Sequence, residues 1–244
     1  MRTLSIVIPA YNEEVFLGAL LERILSVPVE QLGFRKELLV IDDGSKDKTR
    51  EIALAYAAKH DSIQVFTQVP NQGKGKAVQR GIRESTGEFV LIQDADLEYD
   101  PDDYPALLAA LSRADVVYGS RTLGQFQQQG WTLFPGRHAS QKFGPWLAGV
   151  LLTLWTFLLY GRWITDTLTA YKLYPGPVIR QMRIETKGFE TDHEITAKLI
   201  RQGLQLTEVP IAYHPRGAEE GKKIKPIDGL IAVYTLLRFR FGRL

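Results

Sequence analysis

Apolar and polar positions change period repeatedly along this chain, and the changes divide its first half into strands and helices. Leu4 to Pro9 is an unbroken apolar, β-branched run, the pattern of a strand covered on both faces. It stops at Pro9-Ala10-Tyr11-Asn12-Glu13-Glu14. Asn12 is a candidate helix cap there, and Glu13 and Glu14 suit the positive end of a helix dipole. Leu17, Leu20, Leu21, Ile24 and Leu25 then recur at helical spacing. Glu37 to Asp42 predicts a second strand, closed by Asp42-Asp43-Gly44-Ser45, and a helix follows from about Asp47 to His60. Strand Ile63 to Thr67, a helix beginning near Gly73 to Lys76, strand Phe89 to Ile92, a helix opened by Pro101-Asp102-Asp103, and strand Val116 to Tyr118 continue the alternation. Strand and helix in alternation with short links predict an α/β fold with a mainly parallel sheet covered on both faces. Ligands of such sheets sit outside the carboxyl ends of the strands. The polar clusters fall at those ends: Tyr11 to Glu14, Asp42 to Ser45, Asp94 to Glu98, and Gly119-Ser120-Arg121.

One cluster carries more chemistry than the rest. The stretch Phe89-Val90-Leu91-Ile92-Gln93-Asp94-Ala95-Asp96-Leu97-Glu98 reads as a buried strand ending in carboxylates, and period-two alternation puts Asp94, Asp96 and Glu98 on one face. Three acids on one edge repel unless a cation joins them, and oxygen-only ligands suit Mg²⁺ or Mn²⁺ with phosphates completing the shell. The alternative is an ordinary polar loop after a core strand.

The second half is less regular. Phe143 to Tyr160 is uncharged and about the minimum length of a membrane span. Gly144, Pro145 and Gly149 interrupt it, and Trp146, Trp155, Tyr160 and Trp163 favour a membrane boundary. A true crossing would also separate Asp94 and Asp96 from Asp166, Arg216 and Lys222. A helix lying in the interface or lining an acyl groove is therefore expected, with a buried core helix and a true span as alternatives. Glu208 to Tyr213 reads as a short edge strand, because Pro210 cannot donate to a ladder. The polar stretch His214 to Pro226 precedes Ile227 to Leu244, where Leu230, Ile231, Tyr234 and Leu237 share a helical face and arginines follow. That end fits a peripheral anchor or a packed terminal helix.

Composition narrows the picture. With 244 residues, 45% hydrophobic, 24% charged and a net charge of +2, the chain is globular, and its charge does not argue for nucleic acid. The basic excess after His214 suits lipid headgroups or phosphate. The absence of cysteine agrees with a reducing compartment, and the N-terminus does not resemble a signal peptide. His60, His138, His193 and His214 lack metal-ligand spacing.

Taken together, Ile8-Pro9-Ala10-Tyr11-Asn12-Glu13, Ile41-Asp42-Asp43-Gly44-Ser45, Asn71-Gln72-Gly73-Lys74-Gly75, Gln93-Asp94-Ala95-Asp96, Gly119-Ser120-Arg121 and Glu208-Val209-Pro210-Ile211 resemble family-2 glycosyltransferases, and within them the dolichyl-phosphate mannose synthase group. The resemblance covers nearly the whole chain in order. It implies a single nucleotide-sugar-binding domain of the GT-A type with a mainly parallel central sheet and interfacial helices in the C-terminal half. It also implies a divalent metal, inversion at the sugar, and transfer of mannose or glucose from GDP-mannose or UDP-glucose to a polyprenyl phosphate. By position, Asp43 would bond the nucleobase, with Pro9, Tyr11 and Glu13 lining that pocket and Gly73, Lys74 and Ala95 completing the nucleotide site. Asp94 and Asp96 would hold metal and ribose-diphosphate, with Glu98 a further ligand where relatives often have glutamine. Arg121 and Arg137, with Ser140 one turn on, would bind the lipid phosphate. Arg216, Lys222 and Lys223 would lie on a loop closing over the diphosphate. Relatives often carry glycine at the position of Ala170, so the acceptor geometry departs there.

The division expected is a catalytic domain over residues 1–226, with a nucleotide half at 1–122, an acceptor half at 123–226 containing an interfacial segment at 143–163, and an amphipathic helix at 227–244. Many relatives continue into transmembrane helices beyond this point. Here attachment to the cytoplasmic face of a membrane is expected to be peripheral, through the two amphipathic stretches. A phosphate acceptor needs no base, whereas a hydroxyl acceptor would need one, for which Glu190 and Asp192 are candidates. A nucleotide-sugar binder without turnover is the reading from another class.

Overall fold

The computed structural model describes residues 1–130, 136–137, 143–215 and 226–242. Seven strands form one sheet: β1 (Arg2–Ala10), β2 (Phe34–Asp42), β3 (Ile63–Thr67), β4 (Phe89–Ile92), β5 (Val116–Ser120), β6 (Lys172–Pro175) and β7 (Leu206–Pro210), in the order β3-β2-β1-β4-β6-β5-β7. All neighbours are parallel except β6, which runs antiparallel to both β4 and β5. Sequence pattern does not show β6, because its first residue is a lysine in a segment rich in threonine and tyrosine.

Alternation along β1 sends Leu4, Ile6 and Ile8 to one core and Val7 to the other. The first core packs under α1 (Leu17–Ser26), α2 (Thr49–Ala57) and α4 (Tyr104–Ala110). The second packs under α3 (Lys74–Glu84), α7 (Gly176–Gln181) and α8 (Thr191–Arg201). Pro9 lies beyond Val7↔Ile92, the last pair between β1 and β4, so its missing N–H takes nothing from that ladder. β7 is the sheet edge expected from Pro210, although the strand is 206–210 and lies parallel to β5.

The remaining helices are α5 (Arg121–Gln129), α6 (Phe143–Tyr160) and α9 (Pro226–Phe241). Leu152, Ala197, Ala232, Leu236 and Phe239 form a third, smaller core between α6, α8 and α9. No described helix is long and apolar enough to cross a membrane.

Asn12 is not the cap of α1. The helix begins at Leu17 behind Phe16, and Asn12, at φ 54°, accepts from Lys46 N at 2.9 Å while its own N–H donates to Ser45 Oγ at 3.1 Å. A side chain that ties two loops together is unavailable for capping, and the first turn of α1 accordingly carries no acid.

Helix α3 approaches the sheet closely enough that a Cβ on Gly81 would sit 2.2 Å from Val7 Cγ1. Gly81→Ala should therefore destabilise the protein by about 1–3 kcal/mol, despite alanine's better helix propensity. Urea unfolding measures this, and an unchanged or raised midpoint would contradict the packing.

Candidate functional site

The carboxyl ends of β1, β2, β4 and β5 bring the polar clusters to one edge of the sheet. Tyr11, Asp42, Ser45, Lys46, Arg50 and Asn71 line a cavity of about 440 Å³ there. Asp43, only 3% exposed, stands behind it. Its carboxylate accepts from Gln68 Nε2, Gln72 N and Gly73 N, each at 2.8 Å, so it pins the 72–73 backbone to the end of β2. Glu13 is buried, and its N–H donates to Thr49 Oγ1 at 2.7 Å. Pro9, half-buried, is the last residue but one of the neighbouring strand β1.

Gly73 opens α3, and the next helical residues pass against the segment before α8. A Cβ on Gly75 would lie 2.6 Å from the Lys187 carbonyl and 2.2 Å from Thr191 Oγ1, so only glycine fits there. Glu194, fully buried, holds that segment by accepting from Glu185 N and Thr186 N at 2.8 Å each and pairing with Lys198 at 2.6 Å.

The three acids after β4 do not share a face, which corrects the expectation from period-two alternation. The strand stops at Ile92, and the chain turns through Leu97 at φ 59°. Asp94 Oδ1 takes the Lys74 ammonium at 2.6 Å, Asp96 Oδ1 accepts from Glu98 N at 3.1 Å, and Glu98 Oε2 accepts from Tyr213 Oη at 2.8 Å. Ala95 between them is buried. Among the described residues no three acids or histidines converge into a metal cage. The donor set nonetheless suits a divalent ion of the Mg²⁺ type, which commonly takes one or two carboxylates and draws its other ligands from phosphates and water. Asp94 already attracts a cation: burial disfavours charge on Lys74, yet Asp94, Asp192 and Asp96 together raise its pKa above the ordinary lysine value.

At the end of β5, Arg121 is clamped. Its Nε and Nη2 donate to the two oxygens of Asp166 at 2.7 and 2.8 Å, its backbone N–H donates to the same carboxylate, and its guanidinium lies 4.9 Å from the Tyr213 ring centre. Burial opposes ionisation of Asp166, but Arg121 outweighs it and holds the carboxyl below the usual range. Glu208 fixes the Asp166 segment in turn, accepting from Thr165 N at 2.8 Å and Asp166 N at 3.1 Å. Arg137 sits with its guanidinium 5.9 Å from the Phe143 ring, and its carbonyl accepts from Gln125 Nε2 at 2.6 Å. Ser140, Arg216, Lys222 and Lys223 lie outside the described residues.

Glu190 turns back to its own loop, accepting from Gly188 N at 3.1 Å. Asp192, at the start of α8, faces Lys172 Nζ at 3.9 Å. Glu208 lies in one of the motifs that carry the resemblance, and Asp166 and Lys172 flank the segment around Ala170, but the sequence assigns no role to any of the three, nor to Tyr213. Lys172 carried the one available signal, a charge inside a stretch that must be buried.

A family model described as glycosyl transferase family 2 matches residues 5–154. A dolichyl-phosphate beta-glucosyltransferase of Trichomonas vaginalis is 32% identical over 95% of this chain and 71% of its own. An undecaprenyl-phosphate mannosyltransferase of Micrococcus luteus is 32% identical over 94% of this chain and 90% of its own. The fold is shared with the crystal structure of glucosyl-3-phosphoglycerate synthase from Mycobacterium tuberculosis in complex with Mn²⁺, UDP and phosphoglyceric acid, at a TM-score of 0.68 and 22% identity over 100% of this chain and 80% of that one. The chain belongs to glycosyltransferase family 2, as its motifs implied, and it is an enzyme of that class.

Segment 211–214 is tied to the turn after β4. Ala212 N donates to Asp103 Oδ2 at 2.8 Å, and His214 N to the Glu98 carbonyl at 2.9 Å. Burial pushes the Asp103 carboxyl up to about 6, with Asp100 and Asp102 adding to the rise while the Ala212 N–H and His214 oppose it. The folded protein thus holds this proton more tightly than the unfolded chain, whose ordinary value is 3.8. The resulting stability is fully present below about pH 4 and is lost as pH rises through about 6. Asp103→Asn keeps an oxygen for Ala212 and cannot ionise. Urea titrations from pH 4 to 7 should show the variant gaining on wild type by roughly 1 kcal/mol, allowing for partial exposure; a pH-independent difference would refute the assignment.

Proposed function

We propose that this enzyme moves a hexose, mannose or glucose, from GDP-mannose or UDP-glucose to a polyprenyl phosphate at a membrane surface. The observation that carries the reading is a single sheet edge with acids after β4, a clamped arginine after β5, and an exposed apolar helix pair of which α6 packs beside the segment that clamps the arginine. Helix α6 reaches the residue next to the clamping Asp166, with Thr153 Oγ1 at 3.4 Å from Thr167 Oγ1. The names of the relatives from Trichomonas vaginalis and Micrococcus luteus support a polyprenyl-type phosphate acceptor.

A phosphate monoester carries about −1.5 to −2 charge near neutral pH, so its oxygen attacks the anomeric carbon without a general base. The new oxygen–carbon bond forms as the bond from that carbon to the diphosphate breaks, and the nucleoside diphosphate leaves with the electron pair. Arg121, held rigid by Asp166, would orient the incoming phosphate through its remaining donors, with Arg137 beside it. Asp94 and Asp96, the latter steadied by the Glu98 N–H, would hold Mg²⁺ or Mn²⁺, which would supply charge neutralisation at the departing diphosphate. Lys74 would contribute to the same end from the start of α3. Asp43, Pro9, Tyr11 and Glu13 would shape the nucleobase pocket.

The membrane contact would be made by α6 and α9. Leu151, Leu154 and Leu158 of α6 and Leu230, Ile231 and Tyr234 of α9 are all exposed, while Trp155 Nε1 and Tyr160 Oη bond the Val233 and Leu236 carbonyls and lock the two helices together. Arg238 and Arg240 at the end of α9 suit anionic headgroups.

Purified protein given labelled GDP-mannose or UDP-glucose with Mn²⁺ should label a short-chain prenyl phosphate. Label found only on soluble sugars or phosphoglycerate would reject the proposal. Asp96→Asn should lower turnover by on the order of a hundredfold, about 2.7 kcal/mol in the barrier, without shifting the melting temperature. The double variant Leu158→Asp, Leu230→Asp should lose flotation with anionic vesicles that the wild type retains, and equal flotation would remove these helices from the contact.

A further inference from the structure

The ammonium of Lys172 is buried without a hydrogen-bond partner. The residue begins β6, its side chain is 0% exposed, and Nζ makes no hydrogen bond. Its closest carboxylate oxygen is Asp192 Oδ1, at 3.9 Å, and the face of Tyr118 lies 4.9 Å away. A cation–π contact contributes about 0.5–2 kcal/mol, whereas burying an ion costs several. Asp192 stands in the first turn of α8, so the positive end of that helix adds to the cost. Burial accordingly pulls the Lys172 pKa below the ordinary lysine value, with Lys74 and Arg121 pulling the same way and Asp192 and Asp166 opposing.

The neighbours show what the charge is placed to do. Arg121 pairs with Asp166, Asp166 and Asp192 both attract Lys172, Asp192 also attracts Lys74, and Lys74 pairs with Asp94 at 2.6 Å. Positive and negative groups therefore alternate along the sheet edge, from the arginine after β5 to the acid after β4. Lys172 is the only member of this row with no surface of its own, so it meets no ligand directly and acts only through Asp192 and Asp166. Asp192 is shared between two lysines.

We propose that Lys172 is a positioning residue for the nucleoside diphosphate: by holding Asp192 from below, it leaves the Lys74 ammonium free to leave Asp94 for the donor's phosphates. This deepens the reading of the edge as a nucleotide-sugar site and rests on it. Without Lys172, Asp192 and Asp94 bind Lys74 between them, and the phosphates must compete with two carboxylates. Folding does not need the charge. In Lys172→Met, Asp166 keeps its bidentate arginine and Asp192 keeps its access to solvent and the attraction of Lys74, so no carboxylate is stranded; exchanging a buried ion for an apolar side chain of similar length is commonly neutral or stabilising.

Lys172→Met should melt at or above the wild-type temperature yet bind GDP and UDP, with Mg²⁺ present, at least fivefold more weakly by calorimetry. Adding Asp192→Asn to Lys172→Met should release Lys74 and return the affinity to within about twofold of wild type, a recovery that a structural defect would not give. Wild-type affinity in Lys172→Met overturns the role, as does a fall in melting temperature with no recovery in the double variant. Wild-type protein that binds neither nucleotide overturns the donor reading and this role with it. Binding that behaves as described in a protein inactive towards prenyl phosphate overturns the acceptor alone.

Discussion

Charge compensation at the carboxyl edge of a parallel sheet is the constraint on which the rest of this structure depends. Parallel strands deliver the loops after β1, β2, β4 and β5 to one edge, and in this chain the first three of those loops are acidic. The cations that answer them come from other elements: Lys74 from the start of α3, Arg121 from the start of α5, and Lys172 from the antiparallel β6. A sheet with β6 reversed is what makes this possible. Inserted between β4 and β5, it places a lysine between the acid after one and the arginine after the other.

Compensation also explains the rigidity of the arginine. Arg121 is fixed by Asp166, Asp166 by the Glu208 carboxylate that accepts its N–H, and Glu208 is presented by β7. Burial raises the Glu208 pKa against the pull of the Thr165 and Asp166 donors, so its own ionised state is held at some cost. The edge strand is thus part of the site's support as well as the margin of the sheet.

Regular elements were legible because burial writes its period into sequence. Leu4 to Pro9, Ile63 to Thr67 and Phe143 to Tyr160 lie where their apolar pattern put them, and the polar ends of four strands marked the site edge. Turn geometry was less legible. Asp94, Asp96 and Glu98 read as one face only if the strand ran on, and whether Phe89 to Ile92 stops after four residues depends on the Leu97 turn and on Tyr213, more than a hundred residues away. Asn12 misled for the same reason: its partners, Ser45 and Lys46, belong to a loop that only tertiary structure brings near. The pairings of Lys172 and Asp166 were hidden, although their segment was not, because pairing across strands leaves no periodic trace. In the terminal helix, Leu230, Ile231, Tyr234 and Leu237 do share an exposed face, while the packed side is made by Ala232, Leu236 and Phe239.

The way Asp43 is used has a mechanical corollary. A single buried carboxylate fastens the Gln72 and Gly73 amides to the strand that also frames the cavity of Tyr11 and Ser45. Lys74 follows immediately. The wall that would read a heterocycle and the ammonium that would steady its phosphates are therefore mounted on one peg, and a base that seats badly would misalign the phosphate grip by the same displacement. Discrimination between donors would then register in turnover as well as in occupancy, with no separate sensing element.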